Sequence, residues 1–227
     1  MKKIMWQDVL STLFPKRCIG CETIIPSSQL FLCERCTCNL PFAHLPLNKE
    51  NFLYEKIDPT AKIEAASSLL FFKKDTLSQK LIHHLKYKNR PELGEWLAKI
   101  WFEQNRHNSA LAEIESVIPV PIHSKRLKKR NYNQVSLCGR KLASLLNCEY
   151  DETTLIRIHH LESQTQSGKY ERMNRMKNAF QRTNQEVKHY LLVDDVFTTG
   201  ATLSSCTKEL TKVEGSKVSI FALATTE

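Results

Sequence analysis

The sequence predicts an α/β protein: a parallel sheet with helices on both faces, led by a small module built on cysteines. Three observations carry this. From about residue 117 onward, apolar runs alternate with helical patterns (117–122, 135–146, 191–193, 203–213, 217–224), the order of strand–helix–strand units. The run ending at Val193 is continuously apolar, as in a central parallel strand buried on both faces. Ahead of these segments, Cys18, Cys21, Cys33 and Cys36 form two CxxC pairs.

The chain of 227 residues is long enough for one good-sized domain and a small appendage. The sequence divides into a cysteine module over 1–45, a linker with edge strands over 46–75, and the α/β domain over 76–227. No run is long and apolar enough to cross a membrane. The first residues begin like a signal peptide, but Gln7 and Asp8 break the apolar stretch and no small-residue cleavage site follows. Residues 4–14 read as a short amphipathic helix with Val9, Leu10, Leu13 and Phe14 on its apolar side. The expected compartment is the cytoplasm. A net charge of +9 favours polyanionic partners: nucleic acid, pyrophosphate or an anionic membrane surface. The plainer alternative is an inert basic surface.

Each CxxC turn presents two thiolates to one ion, and two such turns complete a tetrahedron for Zn²⁺. Gly20 permits the tight first turn, and residues 22–32 can form a ribbon. A segment this small draws its folding energy from the metal. Four cysteine ligands leave no open position, so the ion is structural. Cys38 and His44 are alternative ligands, and a redox pair or an iron–sulfur cluster is the alternative chemistry. Cys138, Cys148 and Cys206 fall in helical patterns and read as small core residues.

Residues 39–60, with Pro41, Pro46 and Pro59, read as an irregular linker, and 62–72 as one or two strands. A long helical region over 76–104 breaks near Asn89-Arg90-Pro91, with Leu77, Leu81, Leu85, Leu93 and Leu97 facing the core. Lys86, on the basic flank of that stripe, is a secondary anion-binding candidate. Residues 117–122 form the first core strand. A loop follows in which five of the seven residues 124–130 are basic, then a helix. Arg126 and Arg130 suit pyrophosphate or phosphate, because a planar guanidinium makes paired bonds to phosphate oxygens. A nucleic-acid patch is the other reading of that loop. After a short strand at 155–158, the polar segment 159–180 reads as an active-site flap whose Lys169 and Arg172 close over pyrophosphate.

The most informative stretch is Leu191 to Leu203, with the sequence LLVDDVFTTGATL. A buried strand delivers Asp194 and Asp195 to its carboxyl end, where open α/β sheets place ligands. A carboxylate pair suits the vicinal hydroxyls of a ribose. Thr198, Thr199, Gly200, Ala201 and Thr202 then lead into a helix whose first N–H groups point at a phosphate.

This stretch resembles the thirteen-residue motif with which type I phosphoribosyltransferases bind 5-phosphoribosyl-1-pyrophosphate (PRPP). With it stand the four cysteines, Leu81-Ile82 with Leu85-Lys86-Tyr87, Pro119-Val120-Pro121, Arg126-Leu127, Arg130, Asn131-Tyr132-Asn133-Gln134, Arg157, Thr165-Gln166, Arg172, Asn174 and Phe180. Together these blocks resemble the ComF family, also called GntX-like: a double zinc ribbon joined to a type I phosphoribosyltransferase-like domain. Asn131 stands where that family carries Gly; Asn is the next-best residue for a left-handed backbone, so the turn is expected to survive.

The resemblance implies structural Zn²⁺, PRPP with Mg²⁺ or a related ribose phosphate, and a role in DNA uptake during natural competence. It also implies contact with single-stranded DNA and with a DNA-uptake helicase. Asp194 and Asp195 are the catalytic candidates. The alternative is a non-catalytic module of the competence machinery that binds single-stranded DNA and a partner.

Overall fold

A computed structural model of the chain describes residues 15–158 and 179–226. The expectations for the helix over 4–14 and for the flap, including Lys169 and Arg172, lie outside the described residues.

The cysteine module comes first, with a bridge between Arg17 and Ile24 and helix α1 (Glu34–Cys38). Then follow β1 (Phe42–Asn48), α2 (Phe52–Lys56) and β2 (Ala65–Phe71). Two longer helices, α3 (Leu77–Tyr87) and α4 (Glu92–Asn105), lead to β3 (Ser116–Pro119). Next are α5 (Ser124–Arg130), α6 (Ser136–Leu146), β4 (Glu149–Tyr150), β5 (Leu155–Arg157) and β6 (Phe180–Arg182). The chain closes with β7 (His189–Phe197), α7 (Ala201–Leu210) and β8 (Lys217–Thr225).

Among the described residues the main sheet has the order β1-β2-β8-β7-β3-β4. All its pairs are parallel except the antiparallel edge pair β1–β2. β5 and β6 form a separate antiparallel pair. The expected parallel α/β sheet is therefore present. The strand expected within 62–72 is internal: β2 lies between β1 and β8.

Alternation along the strands sends side chains to two faces. On one, Leu69, Val117, Leu191, Val193, Phe221 and Leu223 meet Leu81, Leu85, Leu93, Leu97, Trp101, Cys138 and Leu142 of α3, α4 and α6. On the other, Ala66, Ile118, Leu192, Ile220 and Ala222 meet Leu203, Cys206 and Leu210 of α7, with Leu53 and Ile57. Helices thus cover both faces. Trp101 shows how α4 is fixed. Its ring stacks on Phe221 with centroids 4.3 Å apart, and its buried N–H donates to Ser67 Oγ at 2.7 Å.

The break between α3 and α4 falls where expected. Asn89 adopts φ 49° and Pro91 precedes the new helix. The segment expected as a basic loop is instead a short helix, α5. Its single apolar residue, Leu127, gives no stripe to read. Three cations in its last turn complement the negative end of the helix dipole. Asn131 ends it at φ 61°, the left-handed turn that its Asn was expected to preserve.

The cysteine module packs against the domain. Cys18, Ile19, Ile25, Phe31, Leu32 and Leu40 belong to the same apolar cluster as α3 and α4. Phe31 lies against Trp96 with centroids 5.7 Å apart, and Lys80 Nζ donates to the Gly20 carbonyl at 2.6 Å.

Candidate functional site

Strand order locates a crevice before any motif is invoked. The chain leaves β3 toward β4 on the α6 face, and leaves β7 toward β8 on the α7 face. The connections diverge between β3 and β7, and ligands of open α/β sheets bind at the carboxyl ends of such a pair. Pairing of β3 with β7 ends at Pro119↔Val193, followed by a bond from Val120 N–H to the Val193 carbonyl at 2.8 Å. Pro121 has no N–H to continue it. β7 runs on to Phe197 against β8 alone, so the acidic pair lies within the strand rather than at its last residue. The Asp195 N–H finds its acceptor in Asp194 Oδ1, at 2.8 Å.

Being neighbours on a strand, the two carboxylates face opposite sides of the sheet. Asp194 lines a small cavity of about 30 Å³ with Val196, Phe197 and residues 198–203. Its pKa is pushed up to about 7, chiefly by burial and then by the charge of Asp195. Asp195 is buried on the α3 side. Lys86 Nζ sits 2.8 Å from its Oδ1, and Gln134 Nε2 donates to its Oδ2 at 2.5 Å. Gln134 in turn accepts from Arg130 Nη1 at 2.8 Å. Arg130 stacks on the Tyr87 ring at 4.9 Å from its centroid and donates to the Tyr87 hydroxyl at 3.2 Å. Tyr132 donates to the Leu85 carbonyl at 2.5 Å. The end of α3, the turn after α5 and the end of β7 are thereby tied into one network.

The turn beyond β7 is shaped by Gly200. It adopts φ 73°, and a Cβ there would stand 3.1 Å from the Lys56 carbonyl and 3.0 Å from Phe197 Cζ. Thr198 and Thr199 are exposed, and α7 begins at Ala201. The first helical bond runs from Ser204 N–H to the Gly200 carbonyl at 2.8 Å. The N–H groups of the first turn therefore have no carbonyl of their own helix to reach and line the cavity. Asp58 holds α7 from outside, accepting from Lys208 Nζ at 2.6 Å, while its N–H donates to Ser204 Oγ at 3.1 Å.

The proposed phosphate cations are placed unequally. Arg126 is exposed on α5, whereas Arg130 is engaged by Gln134 and Tyr87. Arg157 on β5, its guanidinium 5.2 Å from the centroid of the Phe180 ring, feels both Arg126 and Asp194. Burial, then the like charge of Arg126, lowers its pKa. Lys86, a secondary anion-binding candidate in the sequence, is paired with Asp195, and Tyr87, Gln134 and Arg157 are the residues whose roles sequence reasoning did not define. Their signal was their place within the motif blocks; their partners lie in other elements.

The metal candidates converge. The Sγ atoms of Cys18, Cys21, Cys33 and Cys36 all lie within 4.8 Å of one another. Tetrahedral Zn²⁺ with bonds of about 2.3 Å calls for sulfurs about 3.8 Å apart, and Cys21 and Cys33 are 3.6 Å apart. The Cys21 thiol is lowered to about 6, chiefly by its hydrogen bond with the Thr23 hydroxyl. Burial and the neighbouring sulfurs push Cys36 up to about 12. Such a group takes four thiolates only around a cation, so the donor set fits structural zinc. Cys38 and His44 stand outside the cluster.

No family model matches the chain. It is 28% identical over 229 residues to DNA utilization protein YhgH of Salmonella typhimurium, covering 93% of this chain and 98% of that protein. Competence protein F of Haemophilus influenzae is 28% identical over 151 residues, covering 63% and 66%. Among solved structures, adenine phosphoribosyltransferase of Trypanosoma brucei overlaps 68% of this chain and 82% of its own, at 13% identity and TM-score 0.36. UMP synthase of Leishmania donovani overlaps 64% and 24%, at 14% identity and TM-score 0.36. The chain is thus a homologue of DNA utilization protein YhgH and of competence protein F.

Proposed function

We propose that the protein binds PRPP with Mg²⁺, or a related ribose phosphate, in the β3–β7 crevice and acts in DNA uptake. One observation carries the binding reading: at the switch point of the sheet, Asp194 and the first turn of α7 line the same cavity. The 5′-phosphate would sit on the backbone of residues 198–202, with the hydroxyls of Thr198, Thr199 and Thr202 adding donors. Ribose hydroxyls would donate to Asp194. Asp195, though tied to Lys86 and Gln134, keeps further acceptor positions on each oxygen. Mg²⁺ would be held mainly by substrate oxygens, supplying charge neutralisation there. Arg126, with Arg130 nearby, would face pyrophosphate.

In a transfer, a ring nitrogen of an acceptor would form a bond to ribose C1. The bond from C1 to pyrophosphate would break with its electron pair leaving on pyrophosphate, and the nitrogen's proton would pass to solvent. The protein contributes position and charge stabilisation of the leaving group. The place in DNA uptake rests on the names of its relatives, a DNA utilization protein and a competence protein.

A second reading draws on α5. Lys125, Arg126, Lys128 and Lys129 are exposed on one short helix, and a strand of phosphates would bind there with steep salt dependence. It makes the protein a single-stranded DNA module, with a DNA-uptake helicase as the partner. Calorimetric titration of zinc-loaded protein with PRPP and Mg²⁺ separates the two. Saturable binding lost in Asp194→Asn supports the ribose-phosphate site. No binding by the folded wild type moves the function to nucleic acid.

A further inference from the structure

A groove of about 500 Å³ lies between the start of α4, the end of β3 and the two helices α5 and α6. It shares no lining residue with the cavity beside Asp194. Among the described residues its apolar walls are Pro91, Pro119, Pro121, Ile122, Leu127 and Leu137. Every polar side chain of the lining is already engaged. The Tyr132 hydroxyl donates to the Leu85 carbonyl. Asn133 donates to the Val120 carbonyl at 3.0 Å and accepts from the Val135 N–H at 3.3 Å. Glu152 accepts from Ser136 Oγ at 2.8 Å, from Arg140 Nη2 at 3.1 Å and from the Tyr150 hydroxyl. Pro119 and Pro121 have no N–H with which to pair an added strand. The groove therefore suits apolar side chains rather than polar groups or bare backbone.

Its rim is strongly basic. Leu127 is the single apolar residue of α5 and is 44% exposed. Successive residues of a helix are turned by about 100°, so exposed Arg126 and Lys128 flank Leu127 on its two sides, and exposed Lys129 follows. No acidic residue stands between Glu115 and Glu149 to offset them. Glu152, the one carboxylate of the lining, is paired with Arg140. A second copy of this chain, with its net charge of +9, would bring like charge to the rim. A nucleic-acid strand would satisfy the cations and leave the apolar groove in water. The surface calls for carboxylates and large apolar side chains together.

We propose that the groove and α5 dock an acidic peptide segment of another protein. One or two large apolar side chains of that segment enter the groove, and its Asp or Glu residues lie on Lys128, Lys129 and Arg126. Leu127 marks the boundary: its side chain meets the apolar anchor while its helix neighbours meet the carboxylates. Burial of the anchor supplies affinity, and the cations supply orientation and association rate. The docking site is independent of the ribose-phosphate reading, with Arg126 alone common to both.

The test uses the full-length, zinc-loaded chain and fluorescence anisotropy with labelled heptapeptides. The first is Asp-Asp-Asp-Asp-Ile-Leu-Phe; one control carries serines for its apolar residues, the other lysines for its aspartates. The first should bind saturably, and each control about tenfold more weakly or not at all. Leu127→Ser and Lys128→Glu, both at exposed positions, should each weaken the first peptide by about tenfold, as loss of an apolar contact or reversal of a charge does. Equal binding of the serine control, or of the first peptide to Leu127→Ser and wild type, overturns the groove, as does no binding at all. A labelled oligothymidylate supplies the nucleic-acid arm. If it binds and the first peptide does not displace it, the surface belongs to nucleic acid and the proposal falls. A wild-type dimer in sedimentation that Leu127→Ser dissociates gives the groove to a second copy and overturns the proposal equally.

Discussion

Lys86 Nζ stands 2.8 Å from Asp195 Oδ1, joining the last turn of α3 to the end of the central strand. Both groups are largely withdrawn from solvent. Removing one partner of such a pair leaves a buried charge uncompensated. Lys86→Met is expected to destabilise the protein by about 3 kcal/mol and to weaken PRPP binding. Chemical denaturation beside calorimetry checks both, and an unchanged midpoint would mean that the pair is solvated in solution.

Gln134 holds the other oxygen of Asp195 while accepting from Arg130. Gln134→Leu leaves an acceptor and a donor unmet at a cost of about 1–3 kcal/mol. Gln134→Glu keeps the shape but sets a second carboxylate against Asp195, and should be worse above pH 7 than below pH 5. The pair of variants, unfolded by urea at both pH values, reads the difference.

Asp194 is the carboxylate whose burial costs stability. Its folded pKa, about 7, lies above the unfolded one, so the folded state binds the extra proton. Stability should then be highest below about pH 4 for this group and fall as pH rises through 7. Asp194→Asn removes that slope and should stabilise the protein at pH 8 by about 1–3 kcal/mol, while abolishing ribose-phosphate binding. Thermal unfolding of both proteins from pH 5 to pH 8 gives the comparison; a variant less stable than wild type at pH 8 contradicts it.

Gly200→Ala is expected to cost about 1–3 kcal/mol, since φ 73° is strained for an L side chain and the methyl would crowd the Lys56 carbonyl at 3.1 Å. Binding of PRPP should fall with it, because α7 would start from a displaced turn. A variant with wild-type melting and binding would show that the turn relaxes.

Gly20→Ala acts on the metal. Its methyl would lie 2.7 Å from Cys36 Sγ and 3.0 Å from Leu77 Cδ1. Wild type should release one zinc per chain to a colorimetric chelator after thiol modification, and the variant should surrender it at lower competitor concentration. Because Phe31 touches Trp96, metal loss should also shift tryptophan fluorescence.

Much of this was legible in the sequence, for local reasons. The cysteine quartet, the apolar run before Asp194, the break at Pro91 and the left-handed Asn131 each declare themselves within a few residues. What could not be read were relations across elements. Lys86 meets Asp195 from more than a hundred residues away, and Gln134 reaches it from sixty-one. No spacing rule covers such distances. The basic segment at 124–130 was misread because a helix with one apolar residue has no period to detect. The opposite orientation of Asp194 and Asp195 follows from strand alternation, once β7 is seen to continue past them.

The helix α3 has a different partner at each end. Its first turn packs Leu77 beside Gly20 of the cysteine module, and its last turn presents Lys86 and Tyr87 to the crevice. Its eleven residues put about 16 Å between the two. The four-cysteine cluster and the crevice therefore share one rigid strut. Stripping the ion should loosen the footing of α3 and with it the grip on Asp195, so that zinc supply becomes an input to whatever chemistry the crevice performs.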